Sequence, residues 1–170
     1  MNQQTLEKEV KFYIHDLAAL RERLIALGGV QVQPRTREVT YRFDTPGLAL
    51  SKSGRVLRLR QDQHCILTFK GPSTDQDGVR VRAEFEVVVD SLDQARAILE
   101  GLGYIQTVIY EKFRAVYQFN DLEISLDELP YGHFTEIEGE DCTAIQSTAR
   151  VLALDWENRI QASYLELFER

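Results

Sequence analysis

The chain has 170 residues, of which 44% are hydrophobic and 28% charged, and its net charge is −7. This length suits one domain spanning 1–170 with a sizeable core. The acidic balance argues against nucleic-acid binding, and the lack of any run of about 18 apolar residues argues against a membrane span. The N-terminus MNQQTLEKEV lacks the apolar segment of a signal peptide, which points to the cytoplasm. Cys65 and Cys142 have no metal-ligand spacing and read as free thiols.

The elements follow in chain order. A first strand is expected over 5–15. Asp16 can cap a helix whose stripe of Leu17, Leu20, Leu24 and Leu27 ends at Gly28-Gly29. Strands are expected over 31–44, 55–62, 65–71 and 80–90, with QDQHCIL (61–67) as a tight turn. Ser91 can cap a second helix, with Gln94 at the capping-box position and Gly103 as its stop. Strands at 105–120, 122–128 and 133–140 follow, then helices over 142–153 and 158–168. About eight strands are enough for a closed antiparallel barrel.

The two capped helices share a pattern. Leu24, Leu27, Gly28, Val30 and Gln31 match Leu99, Leu102, Gly103, Ile105 and Gln106 at one constant offset. A strand with paired acids precedes each: Glu7 and Glu9, then Glu84 and Glu86. The chain reads as two similar halves. That offset pairs Arg37 with Lys112 and makes Arg37 a further candidate for the charged set.

Alternate residues of a strand share a face. Glu7, Glu9 and Lys11 therefore share one, and so do Arg58 and Arg60. Arg80, Arg82, Glu84 and Glu86 lie opposite Val79, Val81, Ala83 and Phe85. Lys112 and Arg114 oppose Phe113 and Ala115, Asp127 opposes Leu126, and Glu136 and Glu138 oppose Ile137. Lys70 alternates with Phe69. One explanation is an antiparallel sheet with a wet side. The other is a barrel whose charged faces line its interior. Like charges in i, i+2 pairs repel unless something of opposite sign lies between them. Acid pairs suit divalent cations such as Mg²⁺ or Mn²⁺, and basic pairs suit polyphosphate oxygens.

Several groups carry blander readings. His64 and His133 lie beside turns and read as surface residues. Glu123 and Glu128 read as solvated. Tyr41, Tyr110 and Tyr117 read as packing, and Trp156 as an anchor for the C-terminal helices.

A series of motifs runs through the chain. Glu7-x-Glu9-x-Lys11 is followed by YRFDTP (41–46), LRLR (57–60), LTFKGP (67–72) and RAEFE (82–86). YEKFR (110–114), SLDELPYGHFTEIEG (125–139) and SYLEL (163–167) complete it. In this order, over nearly the whole chain, the sequence resembles CYTH domains, also called triphosphate tunnel metalloenzymes. That family includes class IV adenylyl cyclases, thiamine triphosphatases and inorganic triphosphatases. The resemblance implies an α+β fold, an eight-stranded antiparallel β-barrel tunnel with helices packed on its outside. It implies that Lys11, Arg58, Arg60, Lys70, Arg82, Lys112 and Arg114 hold a triphosphate. Glu7, Glu9, Glu84, Glu86, Asp127, Glu136 and Glu138 are implied as ligands of Mg²⁺ or Mn²⁺ or their supports. Catalysis would centre on Glu7, Glu9 and Lys11, with Lys11 orienting the attacking water or a phosphate oxygen.

The implied activity is a divalent-metal-dependent phosphohydrolase acting on tripolyphosphate, thiamine triphosphate, ATP or a similar small triphosphate. A class IV adenylyl cyclase converting ATP to cyclic AMP and pyrophosphate is the alternative. A non-catalytic polyphosphate- or nucleotide-binding module is the third reading. Homodimers are common in the family, although no interface can be read from the sequence.

Overall fold

A computed structural model describes residues 5–168. The chain starts with β1 (Thr5–Ile14), α1 (Leu17–Ala26) and β2 (Val30–Asp44). A short α2 (Ala49–Lys52) leads to β3 (Val56–Gln61), β4 (Cys65–Lys70), β5 (Thr74–Gln76) and β6 (Val79–Val89). Then come α3 (Leu92–Gly101), β7 (Ile105–Phe119), β8 (Leu122–Leu129), β9 (Gly132–Glu138) and α4 (Cys142–Val151). A 3₁₀ turn (Trp156–Asn158), β10 (Arg159–Ile160) and α5 (Tyr164–Phe168) close the described chain.

The strands form one sheet in the order β10-β1-β9-β8-β7-β2-β3-β4-β6-β5, and β1 also pairs with β6. Eight strands, from β1 round to β6, are thus joined in a ring by hydrogen bonding. The β1–β9, β2–β3, β3–β4, β4–β6, β7–β8 and β8–β9 ladders are antiparallel.

The chain divides into two compact units. The first contains Arg37–Thr74 and Arg82–Glu111 with the start of β1. Its core joins Phe43, Leu57, Leu59 and Cys65 to Leu50 of α2 and to Ala95 and Leu99 of α3. The second contains Glu7–Thr36, Asp75–Val81 and the described residues from Lys112 onward. Its main core joins Val10, Phe12, Tyr117, Ile124 and Ile137 to Leu20 and Leu24 of α1 and Ile145 and Ala149 of α4. Leu24 is fully enclosed, so truncating it to Ala costs about 3 kcal/mol. A smaller cluster packs Tyr164 of α5 on Leu129 and Phe134.

Both helices with expected caps form where their signals stand. The Asp16 carboxylate accepts the Ala19 N–H at 2.9 Å, and Ser91 Oγ accepts the Gln94 N–H at 3.3 Å. Each ends at a glycine of positive φ, +98° at Gly28 and +90° at Gly103. Helix α1 and strand β2 recur as α3 and β7 at the same offset, so the repeat is present in the fold.

The turn expected over 61–67 is narrower, because β3 runs to Gln61 and β4 starts at Cys65. The helix expected over 158–168 begins only at Tyr164. Arg159 and Ile160 instead pair with Phe12 and Lys11 of β1, so sheet hydrogen bonds replace that first helical turn. Trp156 packs against Phe12, with ring centroids 6.1 Å apart, which anchors this segment to the core.

Candidate functional site

In the second unit, β1 and β9 set Lys11 opposite Glu136 and Glu9 opposite Glu138. Strands β7 and β8 set Arg114 opposite Asp127, and β8 and β9 set Ser125 opposite Glu136. Directly paired residues share a face, so these side chains converge away from the apolar core. Glu7, Glu9, Lys11, Lys112 and Asp127 are each less than 10% exposed. A wet open sheet would leave such groups in water. Burying charge is tolerable only with close partners, and here each has them.

Asp127 is the most enclosed of the set. Arg114 grips both its oxygens, from Nε to Oδ1 at 2.6 Å and from Nη2 to Oδ2. Lys112 Nζ lies 3.3 Å from Oδ2, and Tyr164 Oη donates to the same oxygen at 2.6 Å. Arg114 Nη2 also bonds Glu136, and Lys11 Nζ lies 3.3 Å from Glu136 Oε1. Burial works to raise the Glu136 carboxyl, but Lys11, Arg114 and Lys112 outweigh it and hold the group well below the usual range. Lys11 also donates to the Ala162 carbonyl at 3.1 Å and sits 3.8 Å from the Tyr164 ring centroid. Arg80 Nη1 lies 3.6 Å from Glu9 Oε1. Glu7 and Glu138 present carboxylate oxygens within 4.8 Å of each other, hard donors of the kind a divalent cation takes.

In the first unit, β2, β3, β4 and β6 carry the charges. Arg42 lies opposite Arg58, Arg58 opposite Thr68, Thr68 opposite Glu86, and Lys70 opposite Glu84. Lys70 Nζ is 2.9 Å from Glu84 Oε1. Arg58 Nη2 is 4.0 Å from Glu84 and 3.8 Å from Glu86. Thr68 Oγ1 donates to Glu86 Oε1 at 2.7 Å. Arg60 Nε lies 4.0 Å from Asp62 Oδ2. Arg82 stands half-buried on the Glu84 face of β6. Burial lowers the Arg42 pKa, and the nearby Arg58 and Arg82 cations add to that. Nε of Arg58 and Nε of Arg60 are buried and have no hydrogen-bond partner among the described residues. This face thus holds guanidinium donors that a ligand could use.

Comparison with known proteins settles the family. The sequence matches the CYTH domain over residues 5–163. The chain belongs to the CYTH domain family. It is 28% identical to the adenylate cyclase CyaB of Aeromonas hydrophila, over 91% of this chain and 76% of that one. An adenylate cyclase candidate of Vibrio parahaemolyticus has the same fold, with a TM-score of 0.87, 25% identity and coverage of 99% and 100% of the two chains. An adenylyl cyclase candidate from Hippeastrum, reported with a dominant triphosphatase activity, matches at a TM-score of 0.75 and 19% identity, over 96% and 95% of the chains.

Every charged residue singled out from the CYTH motifs lies in one of the two sets. Glu86 is the least enclosed, its side chain 39% exposed. Arg37 stands apart: it is 57% exposed and bonds Glu111, from Nη2 to Oε1 at 2.6 Å. The repeat keeps helix and strand bounds but not strand facing, and a one-residue slip reverses every side chain. Glu128, expected in solvent, makes a two-point bond with Arg35 at 2.7 and 2.9 Å.

Sequence reasoning missed Glu38, Thr40 and Arg42. They alternate along β2, and Glu38 and Thr40 are almost completely buried. Period-two reading of REVTYR could have found them. Tyr164 was noted only as part of SYLEL. Burial, with the Asp127 and Glu136 carboxylates next, raises its hydroxyl well above the ordinary value. Asp44 of YRFDTP is structural: its oxygens accept N–H bonds from Thr45, Leu50 and Ser51 and the Ser51 hydroxyl.

Proposed function

We propose that the protein is a divalent-metal-dependent phosphohydrolase acting on inorganic or small organic triphosphates. The observation that carries this reading is the buried group of Lys11, Lys112 and Arg114 around Asp127 and Glu136. Three buried cations beside two carboxylates form a site in which anionic oxygens can replace the internal partners. Lys11, Arg58, Arg60, Lys70, Arg82, Lys112 and Arg114 are assigned to the phosphates. Arginine meets non-bridging oxygens with two parallel donors, and lysine acts as a point charge.

The carboxylates Glu7, Glu9, Glu84, Glu86, Asp127, Glu136 and Glu138 are assigned to Mg²⁺ or Mn²⁺ and its surroundings. Glu7 and Glu138 fit such an ion by donor type and separation. When bound, the ion would offset phosphate charge and make water more acidic. The protein's own part is to hold the triphosphate in line and to neutralise charge that develops on it. Lys11, with Glu7 and Glu9 on the same strand face, is assigned to catalysis. Water adds to the terminal phosphorus as the bridging P–O bond breaks, and orthophosphate leaves.

A second reading, an adenylyl cyclase releasing cyclic AMP and pyrophosphate, draws on the name of the Aeromonas hydrophila relative. Incubation with Mg²⁺ or Mn²⁺ and, separately, tripolyphosphate, thiamine triphosphate and ATP tests both. Orthophosphate release is the expected result. Cyclic AMP as the main product from ATP would replace the first reading with the second. Triphosphate binding without turnover under either metal would overturn both.

A further inference from the structure

A cleft of about 220 Å³ in the second unit is lined by residues that the charged sets do not use. Leu17, Ala18 and Arg21 of α1 form one wall, and Gln31 and Arg35 of β2 part of another. Ala115, Tyr117, Leu126 and Glu128 come from β7 and β8. These strand positions alternate with Arg114 and Asp127, so the cleft sits behind that buried ion cluster, on the opposite strand face.

The polar groups at the cleft are not equivalent. The Arg35 guanidinium is spent, since it pairs with both Glu128 oxygens and lies 3.6 Å from the Phe113 ring centroid. Arg21 is exposed and forms no ion pair among the described residues. With Arg35 and Glu128 cancelling, the lining carries one net positive charge. Tyr117 is only 1% exposed, yet its hydroxyl makes no hydrogen bond among the described residues. The oxygen is not one of the fully buried polar atoms that lack a partner, so it keeps contact with solvent and is open to a ligand. The remaining lining is apolar, from Leu17, Ala18, Ala115 and Leu126.

One unspent cation, one hydroxyl without a partner among the described residues and an apolar lining describe a specific ligand. We propose that this cleft binds a small monocarboxylate with an apolar or aromatic body. Arg21 takes the carboxylate, Tyr117 offers a second donor from the wall, and the body lies on Leu17, Ala18 and Leu126. The volume is below that of a drug-sized pocket, which limits the ligand to about one ring and a short chain. A doubly charged phosphate fits less well, since only one cation is unspent and the Glu128 carboxylate stands beside it.

The test is a titration of the full chain with phenylacetate, followed by amide NMR shifts, with phenylacetamide as the uncharged control. Phenylacetate should move Leu17, Ala18, Gln31, Ala115 and Leu126, and phenylacetamide should bind about tenfold more weakly. Arg21→Gln should weaken phenylacetate about tenfold, and Tyr117→Phe several-fold. Ala18→Trp, at an exposed helix position, should fill the cleft and abolish the shifts without disturbing the core. Tripolyphosphate should not displace phenylacetate. Displacement by tripolyphosphate would move the carboxylate to the ion clusters and overturn the proposal. Equal binding of the amide, unchanged affinity in both Arg21→Gln and Ala18→Trp, or no shifts at millimolar phenylacetate would do so as well.

Discussion

Tyr164 Oη donates a 2.6 Å hydrogen bond to Asp127 Oδ2, the oxygen that Lys112 and Arg114 also hold. One carboxylate therefore ties α5 to β7 and β8. The hydroxyl is buried beside Asp127 and Glu136, and ionising it there would set a third negative charge against two others. Its pKa is raised, so the folded protein keeps this proton at a pH where the unfolded chain loses it near 10. The stability it contributes is complete below that point and declines as pH rises beyond it. In an absorbance titration, folded wild type and Tyr164→Phe should show the same tyrosinate signal at pH 11. An extra ionised tyrosine in the wild type would refute this. Tyr164→Phe should also cost about 1 kcal/mol at neutral pH, read from the urea midpoint.

Asp44 predicts the behaviour in acid. Burial pushes its carboxyl up, but hydrogen bonds from Ser51, Leu50 and Thr45 overcome this and bring it down to about 2. The unfolded value is near 3.9, so the stabilisation is complete above that pH and is lost as pH falls towards 2. It amounts to about 2 to 3 kcal/mol. Asp44→Asn should be destabilised by roughly that much at pH 7, with the gap to wild type closing between about pH 4 and 2. A gap that stays constant over this window would mean that the charge on Asp44 contributes nothing.

The glycine stops were legible because their signal is local. Gly28 and Gly103 hold φ of +98° and +90°, and a Cβ at either would meet nothing within 4 Å. Gly28→Ala and Gly103→Ala should each cost about 1 kcal/mol from backbone strain alone, with no added packing penalty. Thermal melts of the single and double variants check this, and the two costs should add.

The charged faces of β1, β3, β6, β7 and β9 were legible for a related reason, since alternation within a strand needs no knowledge of its neighbours. Facing between the repeated halves was not legible. Arg37 and Lys112 share an offset, yet Arg37 bonds Glu111 at the surface while Lys112 is 4% exposed. Which way a strand turns is decided by its ladder partners, and pairing across the sheet is not written in any local stretch. The same is true of Tyr164. Its motif was visible, but its bond to Asp127 spans 37 residues of sequence.

The proposed division of labour between carboxylates and cations gives the last prediction. Glu138 shares its face with Glu9 and Glu123, and its oxygen lies within 4.8 Å of one on Glu7. Arg58 is mostly buried, with Nε lacking a hydrogen-bond partner among the described residues. Glu138→Gln removes one hard anionic donor without changing shape, so it should raise the Mg²⁺ or Mn²⁺ concentration for half-maximal rate by about tenfold or more. Its KM for tripolyphosphate at saturating metal should change little. Arg58→Ala removes charge-assisted donors and should raise that KM by about ten- to a hundredfold, leaving the metal requirement nearly unchanged. Steady-state rates over a grid of metal and substrate concentrations separate the two effects. If Glu138→Gln alters KM while Arg58→Ala alters the metal requirement, the two roles are assigned the wrong way round. If Glu138→Gln keeps the wild-type rate at limiting metal, Glu138 is no ligand.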